Sequence, residues 1–162
     1  MHKVDMPALD WPAAEPPRYK YPLADNTEYN LKQDDDSLAE VRSLVAHWKE
    51  KKGSDVAAVI VEPIISLGGD VYLSPNFANG LRKLTKELGI YMIVDEVHMG
   101  VGVTGNFWCH EHWNLESPPD LMTFAKKMQA CGFFVSEDLL LKEPYRHFNT
   151  FMGDAVRAVM AA

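Results

Sequence analysis

An aspartate and a lysine, 31 residues apart, carry the most chemistry in this 162-residue chain. Asp95 closes the apolar run Tyr91-Met92-Ile93-Val94, and Lys126 follows Leu121-Met122-Thr123-Phe124-Ala125. Each stands where a short buried strand should end, so one carboxylate and one amine arrive at two strand ends. An acid that keeps a ring nitrogen protonated and an amine that condenses with an aldehyde are what pyridoxal phosphate (PLP) requires of a protein. Glu62, after Val59-Ile60-Val61, falls at a third such end, and open α/β sheets bind ligands beyond the carboxyl ends of their strands. Taken singly, each of the three is equally an ordinary solvated residue at a strand terminus. Asp95 resists that reading most, because a half-buried carboxylate needs a cation or donors to offset its desolvation.

Two other chemistries compete for the same residues. Val94-Asp95-Glu96-Val97-His98 also matches a DExH box, with the aspartate acting through magnesium and the glutamate activating water. That chemistry needs a phosphate-cradling loop, and no G-x-x-x-x-G-K-[ST] occurs in these residues. Cys109, His110 and His112, with His98 not far away, form a candidate metal cluster whose spacing matches no common zinc pattern. Trp108 and Trp113 flank it, which favours a packed loop with solvated or hydrogen-bonded histidines.

The elements that must position these groups read as an α/β unit. Asp55 to Ile65 is apolar and β-branched, as expected of a strand buried on both faces of a parallel sheet, and Glu62-Pro63 closes it. A helix is predicted from a Ser74 cap with Pro75 at its first position, burying Phe77, Leu81, Leu84 and Leu88 before a Gly89 stop. Ile90 to Val94 is the next strand, and Leu121 to Ala125 a third, with a glycine-rich loop at Gly100 to Gly105 between them. Leu139 to Leu141 and Phe148 to Met152 read as strand or helix ends.

Upstream, residues 1–35 hold Pro7, Pro12, Pro16, Pro17 and Pro22 with Trp11, Tyr19 and Tyr21 between them, the pattern of an extended arm. Asp34-Asp35-Asp36-Ser37 is expected to open a helix, with Ser37 and Glu40 at capping-box spacing and Leu38, Val41, Val45 and Trp48 on one face. Gly53 should end it. The expected division is an arm over 1–35 and an α/β portion over 36–162, with a βαβ core at about 55–126.

A formal net charge of -7, with 23 acidic residues, argues against a nucleic-acid partner. Lys49, Lys51 and Lys52 are the densest basic group, and cations at a helix end suit the macrodipole. Two cysteines, Cys109 and Cys131, do not make a disulfide framework, which favours an intracellular setting. No apolar run reaches the length of a membrane span, and the amino terminus has no secretory pattern.

Six segments then combine into a resemblance. Val61-Glu62-Pro63-Ile64, Gly68-Gly69-Asp70, Val94-Asp95-Glu96-Val97, Gly105-Asn106-Phe107-Trp108, His110-Glu111-His112-Trp113 and Met122-Thr123-Phe124-Ala125-Lys126-Lys127-Met128 closely resemble the class III PLP-dependent aminotransferases. The His-Glu-His-Trp segment, Gly132-Phe133-Phe134 and Tyr145-Arg146-His147-Phe148-Asn149-Thr150 point to the 4-aminobutyrate branch of that family. The likeness runs along essentially the whole chain and covers the middle of the family's usual sequence. It implies part of the large PLP-binding domain of a fold-type I aminotransferase, a mostly parallel sheet with flanking helices.

Position by position, the resemblance implies that Lys126 is the Schiff-base lysine, Lys127 its neighbour, and Asp95 the partner of the pyridinium nitrogen. Val97 matches a residue packed on the ring, and Thr150 a threonine that reaches the cofactor phosphate of the partner subunit. His98 stands where the family usually has a glutamine near the cofactor's phenolic oxygen. Glu62 matches a glutamate beside the substrate that pairs with an arginine from the carboxy-terminal part. Leu67 replaces a second glutamate of the 4-aminobutyrate branch. The family's phosphate cradle, stacking aromatic, terminal small domain and, in some members, paired iron–sulfur cysteines belong to other stretches of its sequence. Without that cradle, each lost charge-assisted hydrogen bond should weaken PLP binding by roughly 1.5 to 3 kcal/mol.

The implied activity moves an amino group from 4-aminobutyrate or a similar omega-amino acid to 2-oxoglutarate. The implied partners are those small amino and oxo acids and a complete subunit in a homodimer, with no nucleic acid, membrane or metal. The implied location is the mitochondrial matrix, otherwise the cytoplasm. The alternative is a catalytically inactive piece or paralogue that serves only as a folding or association module, which Leu67 and His98 favour.

Overall fold

The structure is a computed structural model that describes residues 10–67, 69–147 and 153–162. In chain order these form α1 (Thr27–Lys52), β1 (Ala58–Val61), the short β2 (Ile64–Ile65) and β3 (Val71–Tyr72), α2 (Pro75–Leu88), β4 (Tyr91–Asp95), β5 (Leu121–Phe124), β6 (Gly132–Val135) and α3 (Ala155–Ala161). No described helix is long and apolar enough to cross a membrane.

The β-branched runs pair into a four-stranded sheet of order β1-β4-β5-β6. The first three strands are parallel and β6 is antiparallel to β5. Pro63 has no amide hydrogen to continue the ladder, so the expected strand over 55–65 is shorter. After β1 the chain leaves the sheet, and Ile64–Ile65 pairs instead with Val71–Tyr72 in a separate hairpin.

Ser74 begins α2 as its spacing predicts. Its Oγ accepts the Phe77 N–H at 2.9 Å, Pro75 occupies the first turn, and Gly89 stops the helix in a left-handed conformation. The apolar stripe of Phe77, Ala78, Leu81 and Leu84 packs on Met92, Val94 and Met122, with Val41, Leu73 and Trp113 closing the core. Each such side chain contributes roughly 1.5 to 3 kcal/mol on burial.

The other face of the sheet is open, contrary to the expectation of burial on both sides. Register places Ala58, Ile60, Tyr91, Ile93, Leu121, Phe133 and Val135 on it, and none of them is buried. Ile60 is 56% exposed, because no described helix lies across that face.

The helix expected at Ser37 begins at Thr27, so the irregular arm gives way earlier than expected. Tertiary partners take the groups that look like a cap. Ser37 lies inside α1, where its Oγ donates to the Glu15 carbonyl at 2.7 Å. Lys20 N–H donates to Asn30 Oδ1 at 2.8 Å, Arg18 N–H to Gln33 Oε1 at 3.4 Å and Glu15 N–H to Glu40 Oε2 at 3.1 Å. Residues 30, 33, 37 and 40 therefore form a polar helical stripe that satisfies the backbone of the arm. Leu139 ends a short 3-10 turn (Glu137–Leu139), while residues 148–152 lie outside the described set.

Candidate active site

Asp95 is the last residue of β4, and Glu62 and Lys126 lie just past the ends of the adjacent parallel strands β1 and β5. Val61 is the register partner of Val94, so Glu62 and Asp95 occupy neighbouring positions, and Asp95 is itself the partner of Thr123. The pairing continues one residue further through Glu96 N–H to the Thr123 carbonyl at 3.0 Å. At Ala125 the chain turns, and Lys126 takes a left-handed φ of 51°. For a residue with a side chain this conformation costs roughly 1 to 2 kcal/mol, and it lies at the point where the amine leaves the sheet. The Gln129 N–H closes the turn on the Lys126 carbonyl at 2.8 Å.

Asp95 is half-buried, and its Oδ1 accepts the Val97 N–H at 2.9 Å, which fixes the carboxylate against its own loop. Lys126 Nζ lies 3.0 Å from His98 Nε2. Lys127 Nζ donates to the backbone carbonyl of the same His98. Val97 and His98 are half-buried, whereas both lysines are exposed. Glu62 Oε2 and Thr123 Oγ1 are buried without a hydrogen-bond partner among the described residues. Leu67 is 75% exposed, and Thr150 lies outside the described residues.

Glu96, read from the sequence only as the glutamate of the competing DExH box, has a role that sequence reasoning missed. Only 1% of it is exposed, and its Oε1 accepts the His110 N–H at 2.7 Å and meets His110 Nδ1 at 2.8 Å. A buried acid followed by histidines one loop later was the signal. Glu96 thus anchors the loop, and the solvent-facing glutamate of a DExH box is absent at this position. His112 Nε2 is held by Thr104, at 3.0 Å from its carbonyl and 3.2 Å from its hydroxyl. Cys109 is buried, and burial pushes its thiol above the usual range against a hydrogen bond with Thr104. The packed-loop reading of this cluster is therefore the one observed. Trp108 completes it, edge-on to Phe107 and against Phe124 and Phe134. A side chain at Gly100 would come within 2.8 Å of that indole.

Residues 2–162 match the sequence model of the family described as Aminotransferase class-III. A probable mitochondrial 4-aminobutyrate aminotransferase of Caenorhabditis elegans is 54% identical over 160 residues, 99% of this chain and 33% of that protein. The mitochondrial 4-aminobutyrate aminotransferase of Homo sapiens is 45% identical over 162 residues, 100% of this chain and 32% of that one. Among solved structures, lysine aminotransferase from M. tuberculosis in its internal aldimine form superposes with a TM-score of 0.71 at 30% identity, over 82% of this chain and 28% of that one. The chain thus spans about a third of the length of the curated relatives it matches. Its sheet and helices form part of the fold-type I aminotransferase architecture. With the family match running nearly from end to end, the chain belongs to the class III aminotransferases.

Proposed function

We propose that this chain is the lysine-bearing part of the large domain of a PLP-dependent aminotransferase. Its reaction moves an amino group from 4-aminobutyrate or a similar omega-amino acid to 2-oxoglutarate. The supporting observation is the adjacency of parallel β4 and β5, whose carboxyl ends lead to Asp95 and Lys126. The residues present suit PLP chemically. They include a half-buried carboxylate for a ring N–H and an exposed amine for an aldehyde. Glu62 and Thr123 add buried oxygens that lack partners among the described residues.

Asp95, Lys126, Val97, His98 and Thr150 are the residues that would hold the cofactor. When bound, PLP supplies an aldehyde that captures amines and a protonated ring that accepts the electrons of a carbon losing its proton. Asp95 favours the charged ring nitrogen by its negative charge, with Oδ1 oriented by the Val97 N–H. With PLP bound, Lys126 would hold it through its amine and, when that amine is free, would serve as the base that moves a proton at the substrate carbon. His98 offers Nε2 beside Lys126 Nζ, where the family's glutamine would offer an amide. Glu62 borders the substrate and pairs with an arginine from a downstream part.

The relatives named as mitochondrial 4-aminobutyrate aminotransferases support that amine and a mitochondrial location, and the matrix and a homodimer with a complete subunit are what the family resemblance implies. Borohydride reduction of a PLP-incubated sample, followed by peptide mapping, tests the central assignment. A pyridoxyl label on Lys126 is expected, and bound PLP with the label elsewhere overturns it. A second reading, an inactive folding or association module, is favoured by the open sheet face around Ile60, Tyr91 and Phe133. It expects no absorbance change on adding PLP and no amine-dependent turnover of 2-oxoglutarate.

A further inference from the structure

We infer that Lys127 is the positioning residue for Lys126 and that it acts through the backbone carbonyl of His98. The inference rests on the reading of Lys126 as the cofactor lysine. β5 ends at Phe124, and Lys126 and Lys127 open the 3-10 turn Lys126–Met128, where neighbouring side chains splay about 120° apart. Here both end on one residue, Lys126 Nζ at 3.0 Å from the His98 ring and Lys127 Nζ on the His98 carbonyl. The chain enters that turn through an extended Ala125 and a left-handed Lys126, φ 51°.

Side-chain-bearing residues avoid that conformation unless their surroundings hold it. Contacts on two sides do so. From within the turn, the Gln129 N–H and Nε2 donate to the Lys126 carbonyl at 2.8 and 3.3 Å, and the Met128 N–H donates to the Ala125 carbonyl at 3.2 Å. From across the site, the Lys127 ammonium ties the turn to the loop that follows β4. That contact also occupies the neighbouring amine, so the two lysines are sorted: Lys127 faces a carbonyl and Lys126 faces an imidazole. A carbonyl is present whatever residue stands at 98, so the hold of Lys127 survives replacement of the His98 side chain, and the Lys126 contact does not. Of the acids beside this loop, Asp95 accepts the Val97 N–H and Glu96 Oε1 the His110 N–H, while Glu96 Oε2 is buried without a partner among the described residues.

The test compares the full chain with Lys127→Met, Lys127→Arg and His98→Ala. Amide hydrogen exchange at Gln129 reads the turn without any cofactor, and the Met92 amide, bonded to Asp120 Oδ2 at 2.7 Å, reads the core. Lys127→Met should speed Gln129 exchange about tenfold, with Met92 unchanged, while Lys127→Arg keeps a donor and stays within about twofold of the parent. His98→Ala should leave Gln129 protected. After PLP and borohydride, the share of label on Lys126 should fall about fivefold in Lys127→Met and return in Lys127→Arg. Unchanged exchange at Gln129 in Lys127→Met, failure of arginine to rescue it, or loss of Met92 protection together with Gln129 each overturn the inference. If the parent binds PLP but carries its label on another residue, the assignment of Lys126 fails. The Gln129 exchange pattern then still decides whether Lys127 holds the turn.

Discussion

Asp34 Oδ2 and Ser74 Oγ lie 2.8 Å apart and join the middle of α1 to the cap of α2, across 40 residues of sequence. The same carboxylate accepts the Tyr19 hydroxyl at 2.5 Å and Asn76 Nδ2 at 3.0 Å. Arm, α1 and α2 therefore meet on one side chain, which is 2% exposed. Its charge lies at a helix N-terminus, where backbone N–H groups and the macrodipole favour an anion. Burial, and then donation to Asp34, push the Tyr19 phenol above the usual tyrosine range.

Asp34→Ala should lower stability by about 3 kcal/mol, because the half-buried Tyr19 and Ser74 hydroxyls lose their shared acceptor and the exposed Asn76 amide loses a partner. Tyr19→Phe removes one donor to Asp34 and the acceptor of the Ser74 N–H at 3.1 Å, and should lower it by about 1.5 kcal/mol. Urea unfolding of both variants decides the matter. An Asp34→Ala protein no less stable than Tyr19→Phe contradicts a shared carboxylate.

Asp120 supplies the acid sensitivity of the fold. It accepts Arg82 Nη1 at 2.6 Å, Arg82 Nη2 at 3.1 Å, Lys86 Nζ at 3.2 Å and the Met92 N–H at 2.7 Å, tying α2 to the start of β4. Burial would raise this carboxyl, but the Arg82, Met92 and Lys86 donors outweigh it and hold it at about 2. A folded value below the unfolded one means stability that is present above about pH 4 and lost as pH falls through about 2. The difference corresponds to about 2 to 3 kcal/mol. Asp120→Asn should be less stable at pH 7, with a shallower decline between pH 5 and 3 than the parent. Parallel declines in denaturant titrations at those pH values count against the assignment.

The elements legible in the sequence are those whose signals are local. Ser74, Pro75 and Gly89 mark both ends of α2, and its apolar stripe follows the helical period. β1, β4 and β5 are short β-branched or apolar runs bounded by breakers. The start of α1 was hidden because its buried residues include Asn30, Asp34 and Ser37, whose partners lie on the arm and on α2. A polar inner face resembles a cap or a solvated stretch until those partners are known. β6 was hidden for a related reason: Gly132-Phe133-Phe134-Val135 shows no alternation, and its Phe134 reaches Trp108 and Phe124.

The candidate site divides the same way. Asp95, Glu62 and Lys126 were visible because each follows an apolar run, and strand order then makes them neighbours. Glu96 was not, since a buried acid is recognisable only with its partner, and His110 comes 14 residues later. The convergence of Lys126 and Lys127 on His98 depends on a left-handed residue that no local pattern announces.

Glu96→Ala should loosen the segment that presents Val97 and His98. Removing Glu96 leaves the His110 N–H and ring unpaired inside the protein, a loss of about 3 kcal/mol. Gly100 and Trp108 pack against each other within the same loop, so their contact should open as well. Trypsin is ill suited to this loop, which has no lysine or arginine between Val97 and Trp113. Limited chymotrypsin digestion at Phe107 and Trp108, with Trp fluorescence, is the better measure. Faster cleavage there than at Phe77 is expected, and equal rates show general unfolding instead of a local anchor.

Ile60 and Met92 lie on opposite faces of the sheet and should respond in opposite ways. Met92 is 0% exposed under α2, so Met92→Ala should lower stability by about 2 to 5 kcal/mol. Ile60 is 56% exposed, and Ile60→Lys should change the stability of the chain by less than about 0.5 kcal/mol. The lysine should nevertheless alter behaviour, because Ile60, on the edge strand β1, is the neighbour of Ile93 in an apolar surface shared with Tyr91 and Leu121, which water disfavours. Lower binding of a hydrophobic dye and less self-association in sedimentation are expected for Ile60→Lys. A loss of stability comparable with Met92→Ala would instead mean that this face is covered in solution.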